Sequence, residues 1–102
     1  MKNNEFGMNN SIVVAVVVTY NRLNLLQRVV GALKGQSKKL DKIYIVNNGS
    51  TDGTKEWIDG QTGLNVIHQE NVGGSGGFYR GIQDASKEEC DWIWCMDDDV
   101  FP

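Results

Sequence analysis

Residues 12–18 read Ile-Val-Val-Ala-Val-Val-Val, an apolar run with no polar interruption and dominated by β-branched valine. A strand with one wet face alternates apolar and polar side chains, so an unbroken run demands cover on both faces, as in the centre of a parallel sheet. Helices must then lie above and below it, which sets the expectation of an α/β fold. The run is also far short of the roughly 20 apolar residues that span a bilayer, and no transmembrane segment is expected.

The rest of the chain repeats the pattern. Leu23, Leu26, Val29, Val30 and Leu33 form a helical stripe, with Asn21 as the expected N-cap and Gly35 as the expected stop. Residues 43–46 make a second short strand, and the turn residues 47–53 lead to a short helix bearing Trp57 and Ile58, with Asp52 as its expected cap. Leu64, Val66 and His68 alternate as a third strand. A glycine-rich loop over residues 73–77 then precedes a helix with Phe78, Ile82 and Ala85 on one face, and residues 92–96 form the fourth strand. Strand and helix alternating in this way predict right-handed βαβ crossovers and a parallel sheet with helices on both faces.

Composition narrows the function. The chain has 102 residues, enough for one domain core, and residues 1–10 read as a disordered arm. Ten basic and thirteen acidic side chains leave a net charge of −3, so no basic field gathers nucleic acid. Lys2 is followed by a mostly polar stretch and no cleavage pattern closes the apolar run, which makes the protein cytoplasmic by expectation. Cys90 and Cys95, five positions apart on an extended segment, stand too far from each other for a disulfide. With His68 the only histidine, no zinc constellation assembles.

In parallel sheets ligands bind outside the carboxyl ends of the strands. Here those ends carry Thr19-Tyr20-Asn21, Asn47-Asn48, Gln69-Glu70-Asn71 and Asp97-Asp98-Asp99. Adjacent carboxylates about 4 Å apart repel by roughly 4 kcal/mol at an effective dielectric of 20, so something must offset them. Strand periodicity puts Asp97 and Asp99 on one side, where they can offer hard oxygen ligands to Mg²⁺ or Mn²⁺, while Asp98 faces elsewhere. In an arbitrary loop three aspartates more often make a solvated acidic turn; their position after an apolar strand reverses that preference in favour of the metal. The glycines over 73–77 fit neither the dinucleotide fingerprint nor a P-loop. They let backbone amides approach a diphosphate or sugar, or simply make a turn. Arg80 reaches a phosphate or stays a solvated charge, His68 reads as an ordinary strand residue, and Trp92 and Trp94 read as core.

Taken as an ordered set, Val16-Val17-Val18-Thr19-Tyr20-Asn21-Arg22, Val46-Asn47-Asn48-Gly49-Ser50-Thr51-Asp52-Gly53-Thr54 and the three aspartates resemble the nucleotide-binding half of a family 2 glycosyltransferase of the GT-A fold. The segment Asn71-Val72-Gly73-Gly74-Ser75-Gly76-Gly77-Phe78-Tyr79-Arg80-Gly81 is similar to the rhamnosyl- and galactofuranosyl-transferase branch. The resemblance covers about residues 11–102 and implies a Rossmann-like sheet that binds a UDP- or dTDP-sugar. Thr19, Tyr20 and Asn48 would lie near the base, Asp97 and Asp98 near the ribose, and Asp97 and Asp99 on Mn²⁺ or Mg²⁺. Asn21, Asp52, Gly74 and Arg80 complete the implied donor set. It further implies inverting transfer to a glycan or lipid-linked acceptor in cell-surface polysaccharide synthesis, at the inner face of the membrane, with the catalytic base beyond Pro102. One departure stands out: the family commonly has Asp-Asp where this chain has Asn47 and Asn48. An amide still accepts from a pyrimidine N–H, but it also donates.

Two other readings compete. One is Mg²⁺-dependent phosphoryl transfer with a strand-end aspartate as nucleophile. The other is a non-catalytic nucleotide-binding or interaction module, in which an open apolar sheet edge pairs with another chain or a second copy.

Overall fold

The computed structural model describes residues 12–35, 40–87 and 89–98. The expected arm at residues 1–10 and Asp99 lie outside them. Seven elements alternate: β1 (Val13–Thr19), α1 (Leu23–Gly35), β2 (Lys42–Asn48), α2 (Thr54–Asp59), β3 (Asn65–Gln69), α3 (Gly73–Ala85) and β4 (Trp92–Asp97). The sheet is parallel throughout, in the order β3-β2-β1-β4. Every residue of β1 is buried, as its unbroken apolar run requires.

Alternation along β1 and β2 divides the core between two faces. Ala15, Val17, Ile43 and Ile45 pack with Leu26, Val29, Val30 and Leu33 of α1 and Ile58 of α2. Val14, Val16, Val18, Tyr44 and Val46 face the other way, toward Phe78 and Ala85 of α3. The chain therefore winds outward from β1 through β2 to β3 with helices on one face. It then returns across the opposite face through α3 to add β4 on the far side of β1. That reversal creates a switch point between β1 and β4, where a crevice opens at the strand ends.

The glycine-rich segment differs from expectation. It is not a loop: α3 begins at Gly73, and the glycines form its first turns. Gly77, Gly81 and Ala85 are the buried stripe, four residues apart. A Cβ on Gly77 would stand 2.7 Å from Val18 Cγ1, and one on Gly81 would strike Val16 and come within 3.0 Å of Val46 Cγ2. The glycines thus let the helix backbone rest directly on valine side chains, and the helical setting is stabilised by that contact rather than by propensity. Ile82, expected on the buried face, is 40% exposed because the stripe runs through Gly81 instead.

Smaller differences follow from the same packing. Trp94 packs against the α1 face, but Trp92 at the start of edge strand β4 is 52% exposed. Cys90 and Cys95 are free thiols, and desolvation pushes the Cys95 thiol above its ordinary value. Among the described residues no helix is long and apolar enough to cross a membrane.

Candidate functional site

A cleft of about 300 Å³ opens at the switch point, lined by Val18, Thr19, Tyr20, Arg22, Asn48, Asn71, Gly73, Asp97 and Asp98. Five of the residues named from sequence, Thr19, Tyr20, Asn48, Asp97 and Asp98, meet there. Val18 and Asp97 are register partners across β1 and β4, which sets the two strand ends side by side.

Asp98 is the buried member of the acidic pair, only 3% exposed. Its Oδ2 accepts the Thr19 hydroxyl at 2.9 Å, and its Oδ1 meets Arg22 Nη1 at 3.3 Å. A carboxylate in such a place needs compensating donors, and these two supply them. Asp97, one residue earlier, is exposed, and its carboxylate has no hydrogen-bond partner among the described residues. Arg22 was not singled out from sequence, although its place directly before an apolar helical stripe, at the end of the first strand, was the available signal.

Asn48 is also 3% exposed. Its Oδ1 accepts from Gln69 Nε2 at 3.1 Å and from the Val72 N–H at 3.2 Å. Its Nδ2 donates to Asn71 Oδ1 at 3.2 Å and to the Gly73 carbonyl at 3.0 Å. All four hydrogen-bonding positions of the amide are thereby used inside the protein. The sequence reading gave this amide a pyrimidine edge to recognise; here it braces β2 against the turn into α3, and a base would have to displace one of these bonds.

Asn47 points to the other face. Its Nδ2 lies 3.0 Å from His68 Nδ1, its Oδ1 accepts the Ser50 N–H, and His68 Nε2 lies 2.8 Å from Asp59 Oδ1. His68 is therefore a bridge between the β2 tip and the end of α2, more than an ordinary strand residue. Contact with His68, and then Lys55, holds the Asp59 carboxyl below its ordinary value.

Asn21 does not cap α1. Its backbone is left-handed, with φ of 50°, and its Oδ1 turns to the Thr51 N–H at 2.6 Å. The cap comes from a different loop: Asp52 Oδ2 accepts the Leu23 N–H at 3.2 Å, while Asp52 Oδ1 accepts the Thr54 N–H at 3.1 Å and the Thr54 hydroxyl. One carboxylate thus serves the starts of both α1 and α2, where helix dipoles favour negative charge. The Thr54 hydroxyl, with the Leu23 and Thr54 amides, lowers its titration point against the opposing effect of desolvation. Asn21 and Asp52 line a second depression with Arg22, Leu23, Asn24 and Leu25. Gly74 is the second residue of α3. Arg80 is drawn to Asp84 one turn on, at 3.4 Å, and does not line the cleft.

Among the described residues no cluster of three or more His, Cys, Asp and Glu side chains is poised for a metal ion. A hard dication held mainly by phosphate and water needs only one or two carboxylates, and exposed Asp97 beside buried Asp98 fits that requirement.

Comparisons with known proteins bear on the same region. Residues 14–102 match the family model described as glycosyl transferase family 2. A galactofuranosyltransferase GlfT1 from Mycolicibacterium smegmatis is 37% identical over 93 residues, covering 89% of this chain and 31% of its own. The abequosyltransferase RfbV of Salmonella typhimurium is 33% identical over 90 residues, covering 80% of this chain and 27% of its own. Among solved structures, the mannosyltransferase PcManGT from Pyrobaculum calidifontis, in complex with GDP-Man and Mn²⁺, superposes with a TM-score of 0.64 at 21% identity. That match covers 89% of this chain and 28% of the other, and shows a shared fold. The chain spans about 30% of the length of the relatives it matches.

Proposed function

The chain belongs to glycosyl transferase family 2, and from that membership we propose that it forms the donor-binding part of a glycosyltransferase using a nucleotide-diphosphate sugar. The observation that carries the reading is the convergence of Thr19, Tyr20, Asp97 and Asp98 on one cleft at the β1–β4 switch point. Tyr20, 46% exposed at the rim, offers a ring face for a base. Asp97 would hold Mn²⁺ or Mg²⁺, and such a dication would neutralise charge on the departing nucleoside diphosphate. Asp98 keeps its neighbour in register, because its own oxygens are engaged by Thr19 and Arg22.

In this reading the donor is a UDP- or dTDP-sugar. Transfer is inverting: an acceptor hydroxyl on a glycan or lipid-linked chain attacks the anomeric carbon as the nucleoside diphosphate leaves. The setting is polysaccharide assembly at the cytoplasmic side of the membrane. Calorimetric titration of the chain with UDP and with dTDP, in Mn²⁺ and again in excess EDTA, tests it. Binding that depends on the metal is expected; equal binding in EDTA contradicts the role of Asp97, and no binding in either condition contradicts the donor site.

A further inference from the structure

His68 does not line the cleft, yet a run of hydrogen bonds connects it to the cleft rim. Both of its ring nitrogens are engaged: Nδ1 lies 3.0 Å from Asn47 Nδ2, and Nε2 lies 2.8 Å from Asp59 Oδ1 at the end of α2. The next link fixes which atoms donate. Asn47 Oδ1 accepts the Ser50 backbone N–H at 3.2 Å, and a backbone N–H can only donate, so the half of the amide facing the ring is its NH₂. Nδ1 must then be an acceptor without a proton, and the ring proton sits on Nε2, donated to Asp59. Farther along, the Ser50 hydroxyl accepts the Asn21 N–H at 2.9 Å, and Asn21 Oδ1 accepts the Thr51 N–H at 2.6 Å. Those two bonds hold Asn21 in its left-handed conformation directly after Tyr20, which lines the cleft.

We propose that His68 is a positioning residue for the donor cleft: its unprotonated Nδ1 orients the Asn47 amide, and through it the turn over residues 47–51 that clamps Asn21 and Tyr20, so that protonation of His68 weakens donor binding. The inference rests on the proposed donor site and deepens it. A proton on Nδ1 would set two donors face to face across 3.0 Å. Turning the Asn47 amide over relieves that clash but points its NH₂ at the Ser50 N–H, so a bond is lost either way. Histidine is the side chain whose charge ordinarily changes between pH 5 and 8, and this one, 30% exposed, is within reach of solvent. The groups around it pull in different directions. Asp59 draws a proton to the ring, while Lys55 pairs with the other Asp59 oxygen at 3.1 Å and weakens that pull. Glu70 follows two positions on, along the same face of β3, and β2 presents the neutral amide of Asn47.

The test reads both ends of the run. The chain has one histidine, so its ring nitrogens can be followed by NMR without ambiguity. Nitrogen spectra at about pH 7.5 are expected to show the Nε2–H tautomer, and the Ser50 amide is expected to shift along the same titration curve as the ring. UDP affinity at saturating Mn²⁺, measured by calorimetry at about pH 7.5 and about pH 5.5, supplies the second readout. Titration of the ligand itself cancels when variants are compared. His68→Asn puts an amide oxygen near the place of Nδ1 and cannot become charged. It should match wild type at the higher pH and bind UDP about three- to tenfold more tightly than wild type at the lower, the weight of one hydrogen bond. His68→Leu, which removes the acceptor, should be weaker than wild type by a similar factor at the higher pH. The inference is overturned, with the donor site left standing, by any of four results: an Nδ1–H tautomer, a Ser50 amide that ignores the ring's titration, affinities of wild type and His68→Asn that fall in parallel, or undiminished binding by His68→Leu. If the wild type does not bind UDP at the higher pH, the donor site itself fails.

Discussion

Thr19 and Asp98, 79 positions apart in sequence, meet through a 2.9 Å hydrogen bond that ties the end of β1 to the residue following β4. Both are almost fully buried, at 1% and 3% exposure. Replacing Thr19 by valine keeps the shape and removes the donor, leaving a buried carboxylate oxygen short of a partner. A loss of about 1–3 kcal/mol is expected in urea unfolding. Stability within error of wild type would mean that Asp98 recruits another donor and that Thr19 is not its anchor.

Glycine substitutions in the two long helices should have opposite signs. Gly31 in α1 has open space where a Cβ would go, so Gly31→Ala is expected to stabilise by about 0.5–1 kcal/mol through backbone entropy. At Gly81 the same helix-propensity gain of about 1 kcal/mol meets contacts with Val16 and Val46, and overpacking of about 1–3 kcal/mol should win. Thermal melts of the pair decide it. A stabilising Gly81→Ala would show that α3 has room to rise off the sheet.

Asn48→Asp converts an amide that both accepts and donates into one that only accepts. Asn71 Oδ1 and the Gly73 carbonyl would then face a carboxylate in place of an N–H donor. The expected cost is about 1–3 kcal/mol, concentrated at the turn into α3. Amide hydrogen exchange should show faster opening at Val72 and Gly73 than in β1. Unchanged protection there would remove Asn48 as the brace.

Acid should weaken the fold partly through Asp52. Its folded-state titration point is depressed, so its stabilisation is complete above the unfolded value of about 3.9 and disappears as pH falls through the folded value. Asp59, lowered by His68 and Lys55, acts in the same direction. Urea midpoints measured from pH 6 down to pH 2 should therefore drop below about pH 4, and Asp52→Asn should flatten that drop. An equally steep fall in the variant would assign the acid sensitivity to other carboxylates.

Much of this architecture is written locally in the chain. The unbroken, valine-rich run in β1 is the pattern of a doubly covered strand, and the stripe from Leu23 to Leu33 is that of an amphipathic helix. Polar residues at the strand ends then indicate where a ligand would sit. Local reasoning failed where partners come from distant segments. Asn21 looks like a helix cap, yet Asp52 performs that task from another loop, which no neighbouring residue announces. Glycines read as a turn by composition, whereas the four-residue spacing of Gly77, Gly81 and Ala85 carried the helical period that placed them on the sheet. The full engagement of Asn48 depends on Gln69, Asn71, Val72 and Gly73, all more than 20 positions away, and only the assembled sheet brings them together.

Bare backbone on the underside of α3 also sets an altitude. With larger side chains at positions 77 and 81, the helix axis would have to sit farther from the valines, and its leading turn with it. Seated flush, the helix brings Gly73, at its positive N-terminal end, to the same cleft that Asp97 lines. Thickness, a property usually credited to cores, is here what brings opposite polarities to bear on one point.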